Sequence, residues 1–256
     1  MAKPCFVHQP CGVGDIIYIQ KIIELFRAKG HEVVVPVRPD LRWMQQHLGR
    51  PGVSYVDMTA PFAKRDLFAQ LVRRSENVTP NQALRGAWKT DQLIFLPLGP
   101  CYRWCGEPNV MLSKYWLLDQ DGSDWADYVH FSRNREREQQ LLQLLDVENS
   151  GAFCLVNGHG STKKLNLSVA GVRNIQLRLI EGFTLFDWAA VVERASAIVT
   201  IDTSLVLLVE VLRPRIPLVV ISRCDPPEFQ IRPIVRLPWR FMPKADGKLV
   251  VDHDAE

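Results

Sequence analysis

The sequence predicts an α/β protein built from two wound, mainly parallel sheets. Short apolar segments rich in β-branched residues alternate with segments of helical spacing, an order typical of this class. Several predicted strands run directly into loops that carry glycine and polar residues. The alternation is interrupted once and then restarts. We therefore expect two domains, residues 1–147 and residues 148–256.

The composition is that of an ordinary globular chain. Its 256 residues are 47% hydrophobic and 23% charged, which excludes the disordered, collagen-like and coiled-coil classes. The most apolar stretch, residues 198–212, contains Asp202 and Glu210 and falls short of the roughly 18 apolar residues of a membrane span. Residues 1–10 lack the apolar run of a secretory signal, so we expect a cytoplasmic protein. The net charge of +3 permits an anionic partner without requiring one.

The cysteines are scattered, and none forms the C-x2-C pair of a zinc site. The sequence therefore predicts no metal centre. We expect free thiols, as in a reducing compartment, at Cys5, Cys11, Cys101, Cys105, Cys154 and Cys224.

The first half begins with a strand, a loop and a helix. Residues 5–8 form a short apolar run, and residues 15–29 have helical spacing that ends at Gly30. Residues 32–37 are β-branched and predict the second parallel strand of a crossover unit. Further helices are expected over residues 41–48 and 62–74, and a buried strand over residues 92–96.

The middle of the chain lacks clear periodicity. Residues 97–127 concentrate prolines, tryptophans and cysteines, which favours a functional loop or a domain connection. Residues 133–145 follow as an amphipathic helix.

The second half repeats the alternation. We expect strands over residues 153–156, 197–201 and 217–222, the last of these being the final strand. Residues 165–180 are ambiguous, although part of this stretch alternates like a strand. Helices are expected over residues 184–195, capped by Thr184 with Asp187 at the third helical position, and over residues 203–212.

A first candidate site lies at the turn between the first strand and helix. Gly12 and Gly14 allow close backbone approach, and the helix start offers amides to an anion or polar substrate. Ile17 occupies the place of the third glycine of a dinucleotide fingerprint, which disfavours nicotinamide cofactors. Asp15 opens this helix, and its alternative role is a carboxylate stabilised by the helix dipole.

A second candidate site follows the strand at residues 153–156. Backbone amides and ammonium groups are what a diphosphate needs, and residues 157–164 supply both. The spacing is not that of a nucleoside-triphosphatase P-loop, and a solvated basic turn is the alternative. The candidate binding residues are His159, Gly160, Ser161, Lys163 and Lys164.

A third candidate site lies between the strand at residues 197–201 and the next helix. Asp202, Thr203 and Ser204 could bind the same phosphate ligand at the helix start, whereas Asp202 could also be a plain N-cap. All three candidate sites follow the carboxyl ends of predicted strands, where wound sheets bind ligands.

Three segments resemble the heptosyltransferase-type family 9 glycosyltransferases. They are Gly-Val-Gly-Asp-Ile-Ile-Tyr at residues 12–18, Gly-Phe-Thr-Leu-Phe-Asp-Trp-Ala-Ala-Val-Val-Glu-Arg-Ala at residues 182–195, and Val-Thr-Ile-Asp-Thr-Ser at residues 199–204. The similarity is clearest over residues 5–39 and 153–227. It implies a compact glycosyltransferase B fold, in which two Rossmann-like domains face a cleft. The first domain would take the acceptor and the second the nucleotide sugar, with the tail returning toward the first.

The resemblance also implies roles for individual residues. Asp15 would be the general base, and Lys163 or Lys164 would hold the donor diphosphate with the amides of residues 202–204. The loop with Gly182 and Phe183 would meet the nucleobase. Such an enzyme inverts the anomeric carbon, uses the nucleotide sugar as cosubstrate and needs neither a metal nor a tightly bound cofactor.

Two positions depart from the family pattern. Ser204 replaces a glycine and Leu207 a histidine, so a binding module without catalysis is an alternative function. Glu210 lies one helical turn beyond Leu207 and could bind a ribose hydroxyl, or could simply pair with an arginine.

The sequence leaves two classes of acceptor open, a glycan and a hydroxymethylated base in DNA. Arginines alternate with aromatic residues near the end of the chain and could line a groove for a polyanion, and Arg103 lies next to Trp104. The alternative for this tail is a segment that crosses back to the first domain. The residues concerned are Arg232, Arg236, Pro238, Trp239, Arg240 and Phe241.

Overall fold

The structure is a computed structural model of the chain. It describes residues 3–9, 12–79, 85–105, 107, 109–149, 151–160, 163–223, 231–245 and 247–251. The chain divides into two compact units, Met1–Ser132 and Arg133–Glu256. The sequence placed the boundary later, between residues 147 and 148.

The first unit holds a five-stranded sheet with flanking helices. Its elements are β1 (Cys5–Val7), α1 (Val13–Tyr18), α2 (Gln20–Ala28), β2 (Val33–Val37), α3 (Met44–Leu48), β3 (Val53–Asp57), α4 (Arg65–Glu76), β4 (Trp88–Lys89), β5 (Ile94–Leu96) and α5 (Leu112–Leu117), with short 3-10 helices at Pro39–Leu41, Cys101–Arg103 and Trp125–Tyr128.

The strand order of this sheet is β3-β2-β1-β5-β4, and only β4 is antiparallel to its neighbour. β1 lies in the centre, where Cys5 pairs with Val33 on one side and Ile94 on the other. Every residue of β1, β2 and β5 is buried, because both faces of a parallel sheet are covered by other elements. The sequence missed β3, an edge strand whose alternate residues are half-exposed. The predicted helix over residues 15–29 is broken at Ile19 into α1 and α2.

The middle segment lies within the first unit and contributes several buried residues to it, so residues 97–127 are not a connection between domains. Trp125, one of its three tryptophans, is fully buried. The Tyr115 hydroxyl donates to the carbonyl oxygen of Tyr18 at 2.8 Å, and the two rings meet edge to face. Helical periodicity is absent because these short elements are buried on several sides.

The second unit begins with α6 (Arg135–Leu144). The remaining elements are β6 (Phe153–Asn157), β7 (Asn166–Val169), β8 (Arg173–Gln176), α7 (Ala189–Arg194), β9 (Ala197–Ile201), α8 (Ser204–Leu212), β10 (Leu218–Ile221), β11 (Arg240–Met242) and β12 (Lys248–Val251), with 3-10 helices at Leu185–Trp188 and Arg232–Ile234.

Five parallel strands form the main sheet in the order β11-β10-β9-β6-β8. β7 and β12 form a separate parallel pair. Two strands therefore follow β10, which the sequence took as the last. β11 and β12, the strands of the described tail, pair with β10 and β7 of the second unit, and the return toward the first domain stays a prediction.

The helix that precedes β6 explains the position of the boundary. α6 packs on α7 and on the Leu185–Trp188 turn. Arg137 of α6 binds the Asp187 carboxylate at 2.8 Å, and Asp187 completes the predicted capping box with Thr184. α6 thus belongs to the second unit.

The predicted α/β class with two wound, mainly parallel sheets is confirmed. Cys5, Cys101, Cys105 and Cys154 are free, as expected, and all four are buried, whereas Cys11 and Cys224 lie outside the described residues. None of the helices in the described part of the chain is long and apolar enough to cross a bilayer.

Candidate functional site

The first candidate site lies where β1 ends and α1 begins. Gly12 precedes the helix in an extended conformation and is exposed, so the backbone is approachable there. Gly14 and Asp15 lie in the first turn and are half-buried. The Asp15 side chain is 20% exposed, which leaves its carboxylate within reach of a solute.

A buried lysine holds the Asp15 carboxylate. The Lys114 Nζ lies 3.0 Å from Asp15 Oδ1 and donates to the carbonyl oxygen of Val110 at 2.9 Å. The Lys114 side chain is only 1% exposed. The sequence analysis missed this residue because it lies in the segment interpreted as a loop. The available signal was a single lysine between two apolar runs, residues 110–112 and residues 115–118.

The end of β1 carries two further buried polar side chains. Burial lowers the pKa of His8 to about 4, so its imidazole is neutral near pH 7. Its ring stacks on Phe95 and meets Phe68 at its edge. Among the described residues, the Gln9 amide has no hydrogen-bond partner, although Gln9 is only 1% exposed. Polar groups that sequence reasoning overlooked therefore precede Asp15.

In the second unit, Asn157 joins two loops at the end of the sheet. Its Nδ2 donates to the hydroxyls of Thr203 at 2.8 Å and Thr200 at 3.2 Å. Its Oδ1 accepts from the backbone amide of His159 at 3.1 Å. The loop after β6 is therefore fastened to the start of α8.

The loop after β6 folds back on itself. The Leu165 amide donates to the Gly158 carbonyl, and the Gly160 amide to the Lys163 carbonyl, each at 2.8 Å. A Cβ on Gly158 would lie 1.9 Å from the Leu165 oxygen, so only glycine fits there. His159 and Lys164 are exposed and Lys163 is half-buried, while Ser161 lies outside the described residues.

Three loops at the carboxyl ends of β6, β9 and β10 converge at Gly160. A Cβ on this glycine would meet Ile201 and Thr203 side-chain atoms at 3.3 Å and the Arg223 Cδ at 3.6 Å. The structure thus brings together the second and third sites found in the sequence. It adds Arg223, which sequence reasoning missed because no motif marks a single arginine after a strand.

Asp202 is buried beside this arginine. Burial raises the pKa of the Asp202 carboxyl, and the Arg223 guanidinium, 3.8 Å from Oδ1, acts in the opposite direction. The N-cap of α8 is Thr203, not Asp202, and its side chain makes no capping hydrogen bond to the helix. Ser204 is the first helical residue and is half-buried. The Thr203 side chain therefore does not satisfy the first backbone amides of α8.

Glu210 does not belong to this cluster. It is 2% exposed, and its carboxylate accepts hydrogen bonds from the backbone amides of Arg236 and Leu237 and from the Trp239 indole. These donors occupy the oxygens that we expected to bind a ribose. Glu210 instead anchors the tail, and because Trp239 is buried with it, this indole does not line an open groove.

Phe183 lies in the loop that follows β8. The Arg137 guanidinium lies 5.3 Å from the centre of its ring, and the ring is half-buried. β8 neighbours β6 in the parallel sheet, so this loop leaves the same edge as the cluster around Gly160. No group of three or more His, Cys, Asp or Glu side chains in the described ranges could hold a metal ion.

Comparison with known proteins gives a likeness in fold. No family model matches the sequence, and a search of the curated proteins finds no relative. Among solved structures, the glycosyl transferase family 9 protein from Veillonella parvula is 13% identical, with a TM-score of 0.52 over 95% of this chain and 88% of that one. The E. coli ADP-heptose lps heptosyltransferase II is also 13% identical, with a TM-score of 0.48 over 96% and 92% of the two chains. E. coli heptosyltransferase WaaC with ADP is 13% identical, with a TM-score of 0.43 over 94% and 93%. The chain thus shares the fold of the Veillonella protein.

Proposed function

We propose that this chain is a glycosyltransferase that moves a sugar from a nucleotide sugar to an acceptor hydroxyl. The observation that carries the proposal is the convergence of three loops at Gly160, which brings the start of α8 and Arg223 close to this glycine; a helix start and an arginine are groups that bind a diphosphate. The first unit offers a carboxylate, Asp15, at the end of its own sheet. The shared fold with a family 9 glycosyltransferase supports this function.

The donor diphosphate would bind at the convergence point. The start of α8 at Thr203 and Ser204 lies close to Gly160 and presents backbone amides. Arg223 can give two parallel hydrogen bonds to phosphate oxygens. Lys163, Lys164 and His159 lie on the same loop, as does Ser161 in the sequence, and Phe183 would contact the nucleobase.

The chemistry would be a direct displacement with inversion at the anomeric carbon. Asp15 takes the proton from the acceptor hydroxyl as its oxygen attacks, and the bond to the leaving diphosphate breaks. Negative charge then builds on the diphosphate, where Arg223, the lysines and the helix dipole stabilise it. Because these groups supply positive charge, the reaction as proposed needs no metal ion.

A donor screen tests the proposal. We expect one or more members of a panel of UDP-, GDP- and ADP-linked sugars to raise the melting temperature and to be slowly hydrolysed. Arg223→Met should weaken that binding by about 10-fold or more. The matched control is Arg173→Met, since Arg173 binds only backbone carbonyls of residues 145 and 146 among the contacts found. If no nucleotide sugar binds, the enzyme proposal fails and a binding module for another ligand takes its place.

The acceptor hydroxyl could belong to a glycan or to a hydroxymethylated base in DNA. Arg232 stacks on Phe241 at 5.0 Å, and Arg103 on the exposed Tyr102 at 5.6 Å, so exposed arginines do accompany aromatic rings. A duplex containing the modified base should then shift in a mobility assay, and the shift should fall steeply with salt. If neither modified nor plain duplex binds, the glycan is the acceptor class to pursue.

A further inference from the structure

We propose that Lys114 is a positioning residue that fixes the Asp15 carboxylate for proton transfer, an inference that rests on the proposed role of Asp15. The geometry that points to it is a buried ammonium group with two oxygen neighbours. Its Nζ lies 3.0 Å from Asp15 Oδ1 and 2.9 Å from the Val110 carbonyl oxygen. Val110 lies two residues before α5, the helix that carries the lysine, and Asp15 lies in the first turn of α1.

The two partners differ in exposure. The Lys114 side chain is 1% exposed, whereas the Asp15 side chain is 20% exposed. A buried ammonium is costly unless it is paired, so the lysine holds its oxygen partners tightly. Lys114 contacts one of the two oxygens of the Asp15 carboxylate, Oδ1. The Asp15 side chain is partly exposed, which leaves room for an acceptor hydroxyl to approach its carboxylate.

Fixing the Asp15 carboxylate in this way affects the rate of proton transfer more than it affects donor binding. A general base must lie within hydrogen-bond distance of the proton that it removes, and small displacements of reacting groups are costly. Without the ammonium, Asp15 can rotate about its side-chain bonds and the reactive orientation becomes less populated. We therefore expect a lower kcat with little change in the KM for the donor, which the second unit binds.

The test compares two buried lysines. Lys114→Met should lower kcat by about 100-fold and leave the donor KM within about twofold. The matched control is Lys21→Met. Lys21 is also buried and paired with a carboxylate, that of Asp124, but it ties α2 to the Trp125–Tyr128 turn. Lys21→Met should lower the melting temperature and leave the kcat of the folded enzyme unchanged.

Chemical rescue separates positioning from packing. In Lys114→Ala, added butylammonium should restore part of kcat in a saturable manner, whereas butanol of similar shape should not. If Lys114→Met fails to fold, Lys114→Gln and this rescue still test the inference. Equal rescue by butanol would show that only packing matters and would overturn it.

The failure of this inference can be told apart from failure of the proposed function. If Asp15→Asn retains normal transfer, Asp15 is not the base, and the role of Lys114 falls with it. If Asp15→Asn is inactive but Lys114→Met keeps the wild-type kcat, the function stands and only the inference about Lys114 is overturned.

Discussion

Asn157, the last residue of β6, and Thr203, which follows the neighbouring strand β9, are joined by a side-chain hydrogen bond of 2.8 Å. This bond holds the loop after β6 against the start of α8. The same asparagine also binds Thr200 and the His159 amide. The proposed diphosphate site thus depends on one amide side chain for its shape.

Asn157→Ala should weaken nucleotide-sugar binding by about 10-fold and lower the free energy of unfolding by roughly 2 kcal/mol, because buried partners lose their hydrogen bonds. Calorimetric titration and urea unfolding measure the two effects. Asn174→Ala is the control, since Asn174 also makes three hydrogen bonds, all of them to backbone groups of residues 169 and 172, but lies in β8. Equal losses of affinity in both variants would contradict a specific role for Asn157.

Gly158→Ala should distort the loop after β6. The new methyl group would lie 1.9 Å from the Leu165 oxygen, and this oxygen belongs to backbone that cannot move aside cheaply. We expect a loss of about 2 kcal/mol or more in unfolding free energy together with loss of donor binding. Gly160→Ala meets only side-chain carbons, at 3.3 Å, so its stability loss should be smaller. Equal stability of wild type and Gly158→Ala in urea would refute the loop geometry.

Glu210→Ala should destabilise the second unit by about 3 kcal/mol, because three donors, one of them the buried Trp239 indole, lose a charged acceptor. Trp239→Phe removes one of these bonds and should cost roughly half as much. Urea unfolding gives both values. Donor affinity of the folded Glu210→Ala protein should stay near that of wild type. A selective loss of donor affinity at unchanged stability would instead support the ribose contact that the sequence suggested.

Because the buried His8 is neutral, the stability of the first unit should fall at acidic pH. Burial lowers the pKa of His8 from its ordinary value of 6.5 to about 4. Between these values the unfolded state binds a proton that the folded state does not, so stability falls as the pH drops from about 6.5 to about 4. The shift corresponds to roughly 3 kcal/mol. His8→Phe should remove this part of the pH dependence in urea unfolding, and an unchanged slope would contradict the burial effect.

Local sequence patterns predicted those parts of the fold that local chemistry determines. The strands β1, β2 and β9 are apolar runs buried on both faces, and Thr184 with Asp187 forms a capping box within four residues. The glycine loops were found because glycine and polar residues follow strands directly.

The remainder depends on contacts between residues distant in sequence. Lys114 meets Asp15 only once the sheet of the first unit has formed, and nothing near Lys114 in the sequence indicates that partner. Glu210 is bound by residues 26 to 29 positions later, in a tail without regular spacing. The edge strand β3 and the packed middle segment lack a distinct period, because one is half-exposed and the other is buried on several sides.

The central claim, that Asp15 is the base of a sugar transfer, is tested most directly by single-turnover transfer with Asp15→Asn. This variant keeps the shape of the side chain and cannot accept the proton. We predict that it binds the donor with wild-type affinity and transfers the sugar at least about 100-fold more slowly. Transfer at the wild-type rate by the same folded protein would contradict the account.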